Sequence, residues 1–365
     1  MIQPAIQLLI GVILSFFLSI IWIPIFRSIA IKIGLVDKPD HRKKHQKHIP
    51  LAGGLAIGFT LILMLFLFAN YNYITHATIK LMAGGYVLLI IGAIDDKKDI
   101  RASYKLTVQM LCSLIIAMAG YKLTSLHGIL GFYDIPLVAQ YVLSVVLITG
   151  VINAFNLMDG IDGLAGGLTL IGFLILAVIS HYIGHEFYTL ICVIIIGSLI
   201  GFLRFNVFGG ESKIFMGDAG SLFLGFLMIG IALDLINITS SNLIGSEIIW
   251  LLPLIIAIFI IPVADSLRVY FVRIKNGNSP FKADRSHIHH LFLELGLQHT
   301  KVTFIISMLS LSLVIMAFLL HFILSLDIII LGIVSVLGIM YFILNINKQV
   351  NLWQEKIKQM ESYTT

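Results

Sequence analysis

Eleven apolar stretches, each close to the length of a bilayer crossing, divide this chain. They run roughly over 3–26, 49–69, 79–94, 106–121, 137–152, 164–181, 187–203, 219–237, 248–267, 303–321 and 326–346. About 20 apolar residues are needed to cross a hydrocarbon core, so 79–94 and 137–152 look short. A length of 365 residues would otherwise suit two soluble domains, but a mean hydropathy of +1.01 with 12% charged residues overrules that. The expected fold is one all-α polytopic membrane bundle of about 11 transmembrane helices, a single domain over 1–365.

The loops set the orientation. Of the 24 lysines and arginines, 22 fall in 27–48, 95–105, 204–218, 268–302 and the C-terminal tail; only Lys80 and Lys122 lie elsewhere. Alternate loops are thus basic and nearly non-basic. The positive-inside rule then puts the N-terminus outside and the C-terminus in the cytoplasm, which requires an odd number of spans. The first charge, Arg27, follows the first apolar run, so that run reads as a span and not a cleaved leader. The net charge of +5 is spread over these loops and does not indicate nucleic acid. Cys112 and Cys192 each sit inside an apolar run and suggest packing, with no disulfide framework or metal-ligand spacing.

The same alternation places loop 153–163 in the cytoplasm, though it has no basic residue. Here Asn153, Asn156, Asp159 and Asp162 recur every third residue, with Gly160 and Gly163 loosening the backbone. On an α-helix each such step drifts by roughly 60°, so the four would cover half the circumference, or one line in 3₁₀ geometry. Capping of the next helix explains one or two of them. Carboxylates beside a bilayer point to function.

Four more polar clusters face the same side. Asp37 to His48 includes Arg42, Lys43, Lys44 and His45, and reads either as a topology signal or as a phosphate clamp. Asp95 and Asp96 are adjacent carboxylates that need a cation or a shared proton, and Lys105 opens the next span. Lys213 to Ser221 sets Asp218 between Gly217 and Gly220. Asp218 suits a cation, and the helix start beyond it suits phosphate, although no Walker-type ending is present. In 268–302, Ile288, Leu291, Phe292 and Leu295 predict an amphipathic helix, with His287, His290 and Glu294 on its polar face. Zinc and phosphate compete for these histidines; the lack of cysteine in this loop and the many aspartates elsewhere favour Mg²⁺ or Mn²⁺ with phosphates. Asp265 reads as a simple intrahelical partner of Arg268. Asp234 and His321 receive no role.

Taken in order, Asp37-Lys-Pro, Asp95-Asp96, the Asn153 to Asp162 repeat, Phe215 to Ser221 and His287-Ile-His-His resemble the polyprenyl-phosphate N-acetylhexosamine-1-phosphate transferases. The segment from Ser279 to His290 looks like the GlcNAc-1-phosphate branch; the phospho-MurNAc-pentapeptide branch has a triple-His form that this chain lacks. The resemblance implies transfer of GlcNAc-1-phosphate from UDP-GlcNAc to undecaprenyl phosphate with release of UMP. It also implies Mg²⁺ dependence, a homodimer, inhibition by tunicamycin-like nucleosides, and a site on the cytoplasmic face of a bacterial plasma membrane. Asp218 and Asp96 would hold the metal, Asp95 would take any proton, and Asp159 and Asp162 would act on the nucleotide sugar or order the metal. Asn153 and Asn156 would line the substrate site. Lys105, Arg42, Lys43, Lys44 and His45 would hold the lipid phosphate; Arg285, His287, His289 and His290 would hold phosphate or sugar. A transporter is the competing class. It would place polar groups near the bilayer midplane in repeated halves, and neither feature is visible here.

Overall fold

The computed structural model describes residues 4–37, 48–68, 74–242, 248–279 and 286–362. It is a helical bundle of α1 (Pro4–Ile33), α2 (Gly53–Phe68), α3 (His76–Lys98), α4 (Ala102–Met118), α5 (Leu137–Met158), α6 (Leu164–Tyr182), α7 (Glu186–Phe208), α8 (Gly217–Asn242), α9 (Ile248–Lys275), α10 (Ile288–Glu294), α11 (His299–Leu320) and α12 (Leu326–Ser362). A small antiparallel pair, β1 (Val36–Asp37) with β2 (Ile49–Pro50), interrupts the helices.

Each of the eleven apolar runs forms a helix, but only nine of those helices, among the described residues, are long and apolar enough to cross a membrane. The two shorter ones are α2, of 16 residues, and α4, of 17. The runs that looked short, 79–94 and 137–152, instead give helices of 23 and 22 residues. They run on through polar residues, Asp95 to Lys98 in α3 and Asn153 to Met158 in α5, so the end of the apolar run is not the end of the helix.

Helix α8 is the centre of the bundle. Its side chains from Leu222 to Leu233 are buried throughout. Two glycines let neighbouring helices reach its backbone. A Cβ added at Gly54 of α2 would strike the backbone of Gly220, and one at Gly92 of α3 would strike that of Asp218 and Ala219. The segment before α8 is fixed as well. Phe215 donates its N–H to Pro50 O at 2.9 Å. The carbonyls of Phe215 and Met216 accept the N–H groups of Gly53 (3.0 Å) and Gly54 (3.0 Å) at the start of α2. Those donors would otherwise be orphans of the helix start. The start of α8 is thus locked between α2 and α3.

Candidate active site

Three backbone N–H groups open α8, and carboxylates from two other elements take all three. Gly217 donates to Asp159 Oδ2 at 3.1 Å, Asp218 to Asp96 Oδ1 at 2.9 Å, and Ala219 to Asp96 Oδ2 at 3.2 Å. Carboxylates are favoured there by the helix dipole. Gly217 has φ of 74° and a Cβ on it would meet Asp96 Oδ2 at 2.5 Å, so glycine is required at this turn. The expectation that this helix start binds phosphate is corrected: these donors already have partners. Asp96, expected as a metal ligand, has both oxygens on amides. Burial, then the neighbouring Asp218 and Asp96 carboxylates, push the Asp159 carboxyl well above the ordinary range.

The cation in this cluster is Lys105, from the first turn of α4. Its ammonium donates to Asp95 Oδ2 at 2.8 Å and to Asp218 Oδ2. Asp95 is held from the other side by the N–H of Ile100 at 2.9 Å, after α3 stops at Asp99 with φ of 51°. Asn156 donates to the second Asp218 oxygen at 2.8 Å and to Ser221 Oγ at 2.9 Å.

The four residues of the three-residue repeat therefore fan out. Asn153 turns away from the carboxylates and donates to Gln109 Oε1 (2.5 Å) and Thr149 O (2.8 Å), tying α5 to α4. Asn156 reaches Asp218, and Asp159 reaches Gly217. Asp162 accepts from Lys213 Nζ at 2.6 Å and lies 3.7 Å from His299 Nδ1. Burial opposes its ionisation, but bonding and charge from His299 and Lys213 outweigh that and hold its carboxyl below the ordinary value. Asn206, which the sequence reading passed over, joins this loop to the next. It accepts the N–H of Gly163 at 2.6 Å and donates to Ile214 O at 2.9 Å. Falling just past the apolar run 187–203, it carried no advance signal beyond being an amide beside a span end.

The histidine segment lies against the same loop. His289 is 1% exposed, and a Cβ on Gly160 would sit 2.5 Å from its Nε2. Burial first, then the neighbouring histidines, lower its pKa to about 3, so the ring is neutral at ordinary pH. The rings of His287 and His289 are nearly parallel, 5.9 Å apart, and His290 meets His289 at 4.2 Å. The helix α10 does bury Ile288, Leu291 and Phe292 as its periodicity requires, but His287, expected on the polar face, is buried too. Its Nδ1 bonds Asp265 Oδ2 at 2.8 Å. Asp265 is thus no simple partner of Arg268.

Arg42, Lys43, Lys44, His45 and Arg285 lie outside the described residues. Among the described residues, no group of three His, Cys, Asp or Glu is arranged as a metal cage. The site offers two carboxylates, Asp95 and Asp218, already converging on one cation, with hard oxygen donors only. That set suits a divalent ion that keeps waters and substrate phosphates as its other ligands, the habit of Mg²⁺. Four stretches expected to share one side (95–105, 153–163, 204–218 and 268–302) do meet here. The fifth is represented by Arg27, which donates to Glu211 O at 2.7 Å. The result is an anionic centre with lysines and histidines at its edge, able to align two phosphates and a cation.

Comparison with known proteins agrees with this chemistry. Residues 78–236 match the family model described as glycosyl transferase family 4. The chain is 36% identical over 285 residues to an undecaprenyl-phosphate alpha-N-acetylglucosaminyl 1-phosphate transferase of Yersinia pestis, covering 77% of this chain and 75% of that protein. The protein of the same description from Escherichia coli K12 is 36% identical over 274 residues, covering 74% and 72%. A probable undecaprenyl-phosphate N-acetylglucosaminyl 1-phosphate transferase of Bacillus subtilis is 32% identical over 319 residues, covering 84% and 83%.

Proposed function

The chain belongs to glycosyl transferase family 4, and on that premise we propose that it transfers GlcNAc-1-phosphate from UDP-GlcNAc to undecaprenyl phosphate, releasing UMP. The names of its relatives support the donor and the acceptor. The observation that carries the chemistry is the pair of carboxylates, Asp95 and Asp218, sharing the Lys105 ammonium at the start of the central helix.

The reaction brings one phosphate oxygen onto the phosphorus of another phosphate, with UMP leaving in line. Both partners are anions, so charge neutralisation and alignment dominate over proton transfer. Mg²⁺, when bound, would neutralise the donor pyrophosphate and improve UMP as a leaving group. Asp218 and Asp95 are the residues that would hold it. Asp96 and Asp159 keep the start of α8 in place and so set where Asp218 sits. Lys105, displaced from the carboxylates, would be available to the acceptor phosphate. Asp162 is already paired with Lys213, with His299 close by, which suits it to ordering the loop. The His287 to His290 segment would offer imidazole groups, that of His289 neutral, to the sugar or a phosphate.

The described parts of the basic loops 27–48, 95–105, 204–218 and 268–302 lie at the site end, and by the positive-inside rule that end would face the cytoplasm. A soluble nucleotide sugar and the headgroup of a lipid phosphate would meet there. The test is UMP release by purified protein given undecaprenyl phosphate, Mg²⁺ and either UDP-GlcNAc or UDP-MurNAc-pentapeptide. UMP is expected with UDP-GlcNAc. No UMP from either donor, in protein shown to be folded, refutes the transferase reading. UMP from the pentapeptide donor alone moves the chain to the peptidoglycan branch.

A further inference from the structure

Asp265 lies in the second half of α9 and is 0% exposed. Around it four groups converge. His287 Nδ1 meets Oδ2 at 2.8 Å, while Oδ1 accepts the Ile288 N–H at 2.9 Å, Arg268 Nη2 at 3.0 Å and the Tyr341 hydroxyl at 3.0 Å. The same Arg268 nitrogen donates to Ser286 O, and its guanidinium lies 4.6 Å from the centre of the Tyr341 ring. One carboxylate thus ties α9, the entry to α10, and α12 together.

Burying a charge costs several kcal/mol, and an apolar packing of α9 against α12 would avoid it. The histidine segment is where that cost yields something. Asp265 accepts on the Nδ1 side of His287, so a proton is held on Nδ1 and Nε2 is the nitrogen turned away from the carboxylate. That Nε2 is buried with no partner among the described residues, and so are both ring nitrogens of His289. Leaving such atoms unpaired is costly, because each has given up its hydrogen bonds to water. Three unpaired ring nitrogens on stacked imidazoles beside Gly160 mark a place made for a polar ligand. A carboxylate behind a histidine that faces a ligand fixes both tautomer and ring orientation.

We propose that Asp265 is the positioning residue of the histidine segment: it holds His287 with hydrogen on Nδ1 and Nε2 turned to a phosphate or sugar oxygen of the substrate. This rests on the transferase reading above. It goes beyond the intrahelical pair with Arg268, because the partner that matters is 22 residues away.

The test is a double-mutant cycle scored by kcat and KM for UMP release. Asp265→Asn keeps an acceptor for Tyr341 and Ile288 but turns the tautomer preference of His287. It is expected to lower kcat by about 10- to 100-fold, with KM for UDP-GlcNAc changed by no more than about threefold. His287→Asn retains a donor toward Asp265 and removes Nε2. It should lose kcat to a similar degree while keeping the wild-type melting temperature. In the His287→Asn background, Asp265→Asn should cost nothing further in kcat. An equal loss from Asp265→Asn in both backgrounds, or a loss confined to KM, overturns the proposal and leaves Asp265 a structural residue. If Asp265→Asn does not fold, His287→Asn decides alone: full kcat in that folded variant overturns the proposal. An inactive wild type, by contrast, defeats the transferase reading itself.

Discussion

Asp96 and Asp218 are joined through the backbone: the carboxylate at the end of α3 accepts the Asp218 N–H at 2.9 Å and, with its other oxygen, the next N–H of α8. One aspartate is therefore the cap of the helix that carries the other. The two should respond differently to substitution. Asp96→Ala removes a cap and uncovers two donors, so it should lower stability by about 0.5–2 kcal/mol as well as activity. Asp218→Asn keeps the fold and should abolish turnover. Melting curves and UMP release on both variants separate the roles; an Asp96→Ala variant as stable as wild type refutes the capping role.

Lys105 lies between Asp95 and Asp218, where the proposed mechanism would place a divalent ion. On that mechanism the two cations would compete, so removing the ammonium should tighten metal binding. Lys105→Met is expected to bind Mg²⁺ roughly tenfold more tightly, about 1.4 kcal/mol, read as a larger Mg²⁺-dependent rise in melting temperature at low metal concentration. The same variant should need more undecaprenyl phosphate for half-maximal rate. Unchanged or weaker Mg²⁺ binding argues against a shared position.

The glycines around the start of α8 make a steric prediction. Gly92→Ala and Gly54→Ala each place a methyl against backbone atoms, which cannot rotate aside. Each should cost about 1–3 kcal/mol and reduce kcat by moving Asp218. Gly150→Ala in α5 meets nothing within 4 Å, and should be neutral or slightly stabilising, as expected for alanine in a helix. Thermal melting of the three variants side by side checks this ordering.

How much of this could be read in advance follows from where each partner lies. Apolar runs marked the position of every helix longer than α10, because burial in lipid is a local property of sequence. They misjudged the ends of α3 and α5, since polar residues such as Asp95 and Asn156 extend a helix without adding hydropathy. The clusters at Asp95, Asp159 and Asp218 were visible as carboxylates where carboxylates are costly. Their division of labour was not. That Asp96 and Asp159 cap α8 while Asp95 shares Lys105 with Asp218 depends on contacts made across more than 50 residues. The three-residue repeat suggested half a helix face or a single line, yet its members turn to different partners. Asp265 and Asn206 looked like ordinary polar residues because their partners, Tyr341 and Ile214 among them, come from other elements.

The buried His289 gives the chain an acid-sensitive point whose sign can be worked out. Its pKa falls from the ordinary 6.5 to about 3 in the folded protein, because burial penalises the charged ring. The unfolded chain therefore binds a proton between those values that the folded protein refuses. Stability from this group is complete above about pH 6.5 and is lost as pH falls toward 3, at up to about 1.4 kcal/mol per pH unit. His289→Gln cannot titrate. Between about pH 6.5 and 5 the wild type should lose roughly 2 kcal/mol more than this variant, seen as a steeper fall in melting temperature. Parallel pH curves for the two proteins would show that His289 takes up its proton in the folded state.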